Sequence, residues 1–296
     1  MRTVALATCR AFPQLDVEDR LVIPELQNLG IAGIPAVWDA ADVDWSAFDA
    51  VILRGTWDYP ERRDEFVAWL HRVRAVSLLL NPADVVEWNT DKRYLRDLDA
   101  AGVPIVPTTF LEPGDDLASW APPAGHTDFV VKPAVSAGSR DTMRYAVNGS
   151  LVDARDHVRR LLDDGRTVMV QPYLDAVDTD GETAMLFIGG EFSHAIRKGP
   201  LLVRDVEGDR VEGLFVQEQI DPREATTVQL SVARQVVAAI PGGFAALLYA
   251  RVDLIDAPDG SPLLLELELT EPSLFLSRAV GASARLARAI AERLAE

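Results

Sequence analysis

Tyr249-Ala-Arg-Val-Asp-Leu-Ile-Asp-Ala-Pro-Asp-Gly-Ser-Pro-Leu-Leu-Leu-Glu-Leu-Glu-Leu-Thr-Glu-Pro-Ser273 reads as two apolar-rich strands joined by a turn at Pro258-Asp259-Gly260. Arg251, Asp253, Glu266 and Glu268 each sit between apolar neighbours. Because side chains alternate along a strand, all four project onto one face of the hairpin. Three carboxylates beside one arginine, on otherwise greasy strands, are costly to bury without a cation. Hard divalent ions such as Mg²⁺ take oxygen ligands of this kind and are usually shared with a substrate phosphate. A half-solvated hairpin with an ordinary polar face gives the same alternation, so the hairpin alone leaves both readings open. Crowding of the carboxylates further predicts that Glu266→Gln raises metal-free stability.

At 296 residues the chain is long enough for about two or three domains. Its formal net charge of −17 argues against nucleic acid and anionic membrane surfaces as partners. Basic residues must therefore cluster locally if a phosphate is bound. A single cysteine, Cys9, excludes an internal disulfide and suits a reducing compartment. With no base partner evident in sequence, it reads as a small packed residue rather than a nucleophile. No apolar run reaches the ~18 residues of a membrane helix, and the apolar part of Met1–Arg10 is too short for a signal peptide. These features predict a soluble, cytoplasmic protein and leave homo-oligomerisation open.

Strand-like runs at 3–8, 33–37, 50–53 and 77–80 alternate with helical stretches at 19–29 and 61–73. Such alternation implies βαβ units and a parallel sheet through about residue 85. The first loop lacks Gly-x-Gly-x-x-Gly, so NAD binding is not indicated. Ligands of open parallel sheets sit beyond the carboxyl ends of the strands. Those ends carry Thr8-Cys9-Arg10 and Arg54-Gly55-Thr56-Trp57-Asp58. Arg10 or Arg54 could pair a carboxylate, and Thr56 or Asp58 could fix an amine or amide. Loop residues with purely local hydrogen bonds are the alternative.

Asn81-Pro82 ends this first unit. Trp88–Leu95 then opens a helix, with Asn89 or Thr90 as its cap. Lys92 falls in the first turn, where a cation opposes the helix dipole unless an anion docks there. Phe129-Val-Val-Lys132-Pro133 ends an apolar strand on a second lysine, and a small-residue loop follows. Within it Ser136, Ala137, Gly138 and Ser139 allow backbone N–H groups to approach phosphate oxygens. A plain hairpin loop is the alternative, and no Walker pattern is present. A helix at 152–162 leads to a strand at 168–171 interrupted by Pro172-Tyr173-Leu174, which leaves backbone groups exposed. His194-Ala-Ile-Arg197-Lys198 supplies a further cationic cluster. Residues 199–213 read as a mobile loop, and helices are expected at 222–240 and 282–294.

Arg251-x-Asp253 followed by Glu266-x-Glu268-x-Thr270-x-Pro272 resembles the metal-binding signature of ATP-grasp enzymes. In D-alanine–D-alanine ligase and glutathione synthetase that pattern runs Asp, then Glu-x-Asn, with Thr and Pro at similar spacing; Glu268 stands where it has Asn. The resemblance implies an α/β (α+β) ATP-grasp fold. Its parts would be an N-terminal Rossmann-like parallel-sheet domain (1–86), a central lid domain (87–174) and a C-terminal domain with the metal hairpin (175–296). It also implies ATP and Mg²⁺ as cofactors. Lys92 and Lys132 would hold the α- and β-phosphates beneath a lid formed by Ser136 to Ser139. Gln171, Pro172, Tyr173 and Leu174 would hold adenine, and Glu182 the ribose. Arg197 with Lys198 would face the γ-phosphate, Asp253, Glu266 and Glu268 would bind Mg²⁺, and Arg251 would stabilise the oxyanion of a tetrahedral intermediate.

The chemistry implied is phosphorylation of the carboxylate of a small amino-acid-like substrate, followed by attack of a nitrogen. Glutathione synthetase has an arginine two residues beyond the ribose acid; this chain has Ala184. With its Thr8-Cys9-Arg10 and Arg54–Asp58 loops, the chain most resembles the D-cycloserine synthetase group, O-ureido-serine cyclo-ligases. That resemblance implies ring closure of a single organic substrate. A two-substrate amino-acid ligase is the runner-up, and a catalytically idle nucleotide-binding module the rival of a different class. An idle copy is expected to lose phosphate lysines or metal carboxylates, and this sequence keeps both.

Overall fold

In the computed structural model, which describes residues 1–118, 120–202, 210–211, 214–216 and 219–296, the chain begins with a parallel sheet. Its elements are β1 (Arg2–Thr8), α1 (Val22–Asn28), β2 (Ile31–Val37), β3 (Ala50–Gly55), α2 (Arg63–Arg74) and β4 (Leu78–Leu80). The strands run in the order β2-β1-β3-β4, each pair parallel. A sheet covered on both faces needs nearly continuous apolar strands, and alternation sorts their side chains into two layers. Val4, Leu6 and Ile52 pack with Val22 and Leu26 of α1. Ala5, Ala7, Val51 and Leu53 pack with Phe66 and Trp69 of α2.

Helices α3 (Ala83–Asn89) and α4 (Tyr94–Ala100) lead to a second sheet. It contains β5 (Thr109–Leu111), β6 (Asp128–Pro133), β7 (Met143–Ala146) and β8 (Val168–Pro172), backed by α5 (Leu151–Asp163). The order is β5-β8-β6-β7, all antiparallel. After α6 (Ala176–Thr179) come β9 (Glu182–Ile188), β10 (Glu191–Lys198), β11 (Arg210–Val211), β12 (Phe215–Val216) and β13 (Ile220–Arg223). Helix α7 (Thr227–Ala238), β14 (Tyr249–Asp256), β15 (Pro262–Glu268) and α8 (Ala282–Arg293) complete the chain. The third sheet is antiparallel in the order β13-β10-β9-β14-β15, while β11 and β12 pair separately. Alternation again divides the strands. Ala184, Leu186 and Ile188 share a core with α8 and the first sheet, whereas Met185 and Phe187 face Ala233 and Val236 of α7. The first and third sheets are therefore joined by common hydrophobic packing.

Two expected helices are divided differently. Over 222–240, Ile220–Arg223 pairs with β10, and the helix begins only where Thr226 and Gln229 form a reciprocal cap. The helix expected from Trp88 is interrupted: Asn89 ends α3, and α4 starts at Tyr94. Much of the loop expected at 199–213 lies outside the described residues.

Beyond β15 the chain leaves the ladder, and its buried carbonyls must find other donors. Leu269 O accepts from Asn81 Nδ2 at 2.8 Å, Thr270 O from Tyr249 Oη at 2.9 Å and Glu271 O from Trp57 Nε1 at 3.1 Å. Pro272 O accepts from Arg54 Nη2 at 2.9 Å, Ser273 O from Arg251 Nη1 at 3.3 Å and Leu274 O from His194 Nε2 at 3.0 Å. Asn81 also donates to Tyr249 O at 2.9 Å and accepts from Leu248 N at 2.7 Å. Asn89 donates to Leu267 O at 2.8 Å and accepts from Leu269 N at 2.7 Å. Thus the first unit supplies much of the pairing that shapes the end of the hairpin.

Asn81→Leu is expected to lower stability by about 3 kcal/mol or more, since buried backbone groups of Leu248, Tyr249 and Leu269 lose partners together. Urea unfolding is the measurement; an unchanged midpoint contradicts this role.

Candidate active site

The hairpin and its neighbouring strands floor a cleft of about 340 Å³ between the second and third sheets. One end is apolar, lined by Val106, Val130, Val177, Ile255 and Leu265 together with Pro172, Tyr173 and Leu174 at the close of β8. Gln171 lines the cleft beside them, its amide donating to Thr108 Oγ1 at 2.8 Å. The other end is charged. Lys132 reaches it from β6, Lys92 from the turn before α4, Lys198 and Glu182 from β10 and β9, and Arg251, Glu266 and Glu268 from the hairpin. Ser136, Ala137, Gly138 and Ser139 cover the lysine end. In that loop Gly138 has φ 58° and Ser139 also φ 58°, a left-handed backbone that glycine adopts at least cost.

Strand register explains the convergence. Arg251 pairs across from Glu268 and Asp253 from Glu266, while Lys198 pairs with Glu182. Lys92 Nζ lies 3.1 Å from Glu266, and it donates to Ser136 O at 2.7 Å. Lys198 Nζ lies 3.2 Å from Asp253 and 3.5 Å from Glu182. Arg251 Nε donates to Asp253 Oδ1 at 2.9 Å, and its Nη2 reaches Glu268. Lys132 differs from the other cations: it is 8 % exposed and has no hydrogen-bond or ion-pair partner among the described residues. Burial pushes its ammonium pKa down, against the pull of Glu266.

The carboxylates are not equivalent. Burial would raise Glu266, yet the ammonium groups of Lys92, Lys132 and Lys198 hold it at about 2. Burial pushes Glu268 up to about 7 despite Arg251, with Glu266 and Asp253 adding to the rise. Burial and then Glu268 likewise lift Glu271 well above the usual carboxylate range. The crowding expected at Glu266 therefore falls on Glu268, because three lysines attend Glu266.

Comparison with known proteins now adds identity to geometry. A family model for the N-terminal domain of D-cycloserine synthetase DcsG matches residues 4–81. Over 306 aligned residues the chain is 38% identical to the cycloserine biosynthesis protein DcsG of Streptomyces lavendulae, spanning 99% of each chain. The chain belongs to the D-cycloserine synthetase family. The crystal structure of D-cycloserine synthetase DcsG superposes with a TM-score of 0.87 at 38% identity over 99% of each chain. More distant ATP-grasp structures share the fold. D-alanine–D-alanine ligase from Bacillus anthracis, complexed with ATP, gives a TM-score of 0.66 at 15% identity over 100% of this chain and 98% of the other. This D-cycloserine synthetase family member thus has the ATP-grasp fold.

Several residues singled out from its sequence lie elsewhere. Arg10 is largely exposed and pairs with Asp39 at 3.1 Å. Arg54 is 1 % exposed, pairs with Asp19 at 2.7 Å and holds Pro272 O, so its charge is engaged beneath the cleft wall. Thr56 is fully buried, and Asp58 accepts from Trp38 Nε1 at 2.8 Å. Of this loop, Trp57 and Tyr59 line the cleft instead. Arg197 is also absent from the lining: as the strand neighbour of Lys198 it points the other way, donating to Asp180 O at 2.7 Å. Asp253 is 1 % exposed and lies behind the lining, held by Arg251 and Lys198. Sequence reasoning missed Tyr59 and Glu271, and took Asn89 only for a cap. Alternation carries no signal for Glu271, which follows the end of β15.

The donor set fits a hard divalent ion: Glu266 and Glu268 present oxygen ligands on one face, and a cation there would relieve the charge crowding at Glu268. Because the folded state holds the Glu268 proton more tightly than the unfolded chain, this contribution to stability is full below its ordinary 4.5 and is lost as pH rises through about 7. Without Mg²⁺, the melting temperature of Glu268→Gln should gain on that of the unsubstituted protein as pH is raised from about 5 to about 8. Thermal scans across that range test it, and a constant difference contradicts the assignment.

Proposed function

We propose that the protein closes O-ureido-D-serine to D-cycloserine at the expense of ATP. The observation that carries the nucleotide part is Lys132, a buried ammonium without a hydrogen-bond or ion-pair partner among the described residues, beneath a small-residue loop and beside acidic hairpin side chains. Family membership supports the substrate reading, since the relative aligned over 99% of each chain is a cycloserine biosynthesis protein. Adenine would lie in the apolar end against Gln171 to Leu174, with its ribose at Glu182. Lys92, Lys132 and the 136–139 loop would hold the phosphates, with Lys198 toward the transferred group. Glu266 and Glu268 would hold Mg²⁺, which neutralises phosphate charge during transfer.

The substrate carboxylate attacks the γ-phosphorus of ATP, giving an acyl phosphate and ADP. The nitrogen bonded to the side-chain oxygen then attacks the acyl carbon, and phosphate leaves as the five-membered ring closes. Water removes the carbamoyl group as CO₂ and ammonia. Arg251 would stabilise the oxyanion of the tetrahedral intermediate, and the protein otherwise aligns groups that are already reactive. Tethering the nucleophile meets much of the entropic cost of bringing two reactants together. Ala184 is consistent with this reading: glutathione synthetase has an arginine there, and ring closure needs no site for an incoming amine.

Solubility and the exclusion of nucleic acid remain part of this reading, supported by the charge of −17, as does a cytoplasmic setting, which suits a chain with a single cysteine. Among the described residues no helix is long and apolar enough to cross a membrane.

Incubation with Mg·ATP and O-ureido-D-serine as the single organic substrate should yield ADP and cycloserine in equal amounts. ADP formation that requires an added amine would contradict cyclisation and favour a two-substrate ligase.

A further inference from the structure

Glu271 is a carboxyl for which the reaction as drawn has no use. It lines the cleft and is 8 % exposed, yet its side chain has no hydrogen bond or ion pair among the described residues. Its position is fixed from the backbone, because Trp57 Nε1 donates to its own carbonyl at 3.1 Å and Arg54 to the next at 2.9 Å. Three of the cleft's other acids are matched by cations. Glu266 has Lys92, Glu268 has Arg251, and Glu182 has Lys198. A buried carboxyl without a counter-charge keeps its proton, and a ligand that brings a cation lets it ionise.

The surrounding wall narrows the ligand to a small cation with hydrogen-bond donors. Tyr59, 4 % exposed, lines the same cleft, and Glu271 is the charged group acting most strongly on its hydroxyl. Asp16 and Glu18 also line this region, and Glu18 is engaged by the Ser277 backbone N–H at 2.9 Å. Arg251, which would face the reacting carboxylate, donates to Ser273 O at 3.3 Å, two residues beyond Glu271. In an α-amino acid the ammonium is borne on the carbon next to the carboxylate carbon. A substrate whose carboxylate faces Arg251 therefore brings its ammonium toward this segment.

We propose that Glu271, with Tyr59 beside it, receives the α-ammonium of the amino-acid substrate and makes a free amino group a requirement for binding. This assignment rests on the cyclo-ligase reading of the cleft. It adds a specificity-determining contact supplied by the segment after the metal hairpin rather than by the N-terminal loops.

The test is calorimetric titration in the presence of Mg²⁺ and a non-hydrolysable ATP analogue. Two probes are compared: O-ureido-D-serine and the analogue in which hydrogen replaces the α-amino group. The unsubstituted protein should bind the amino compound tighter by about tenfold or more. Glu271→Gln, nearly isosteric, should lose that preference while keeping its nucleotide affinity, and Glu271→Asp should retain part of it. Equal binding of both probes by the unsubstituted protein would overturn the assignment, as would an undiminished preference in Glu271→Gln. A Glu271→Gln variant that weakens both probes alike and raises the Mg²⁺ requirement would also overturn it, making Glu271 a metal ligand. Failure of the cyclo-ligase reading would look different: the amino preference would persist and depend on Glu271, with no ADP released from ATP.

Discussion

The row of side-chain donors on the carbonyls of Leu269 to Leu274 is the constraint on which the site depends. Once β15 ends, no neighbouring strand among the described residues satisfies these groups, and buried carbonyls without partners are expensive. Asn81, Tyr249, Trp57, Arg54, Arg251 and His194 each satisfy one of them. Three of these donors, Asn81, Trp57 and Arg54, come from the N-terminal segment. The cost of burying Arg54 is offset by Asp19 at 2.7 Å. The first sheet thus shapes the wall of a cleft whose floor belongs to the third.

Electrostatics gives the cleft its direction. In a chain of net charge −17, Lys92, Lys132, Lys198 and Arg251 converge on one end of one cavity. Their field keeps Glu266 ionised at about 2, whereas Glu268, farther from the lysines' influence, is lifted by burial to about 7. Two carboxylates on one strand, two positions apart, therefore differ in how tightly they hold a proton. A divalent cation bound at Glu268, as proposed above, would release that proton. Lys132 is the complementary case, a buried cation with no hydrogen-bond or ion-pair partner among the described residues.

Strand alternation made much of this legible. It placed Arg251, Glu266 and Glu268 on one face, and it marked Lys132 as a cation ending a strand. The same rule, pressed one residue further, separates Arg197 from Lys198: only Lys198 lines the cleft. What alternation does not reach is the irregular chain after a strand. Arg54, Thr56 and Asp58 share a strand end with Trp57, but which of them faces a ligand depends on how the Tyr59–Arg62 turn packs. Asn81 marked a boundary in the sequence and proves to be a bridge to the hairpin. Glu271 lay outside the period of the hairpin, and its role depends on donors from residues 54 and 57.

The chemistry assigned to this architecture passes through an acyl phosphate, and the fate of one oxygen atom distinguishes it from any route that leaves the carboxylate untouched. O-ureido-D-serine carrying ¹⁸O in both carboxylate oxygens, turned over with unlabelled ATP, would be followed by mass spectrometry of the inorganic phosphate released. Transfer of the γ-phosphoryl group to the carboxylate, followed by ring closure at the acyl carbon, predicts one ¹⁸O in each phosphate formed. Phosphate without label, accompanied by cycloserine, would contradict carboxylate activation in this cleft.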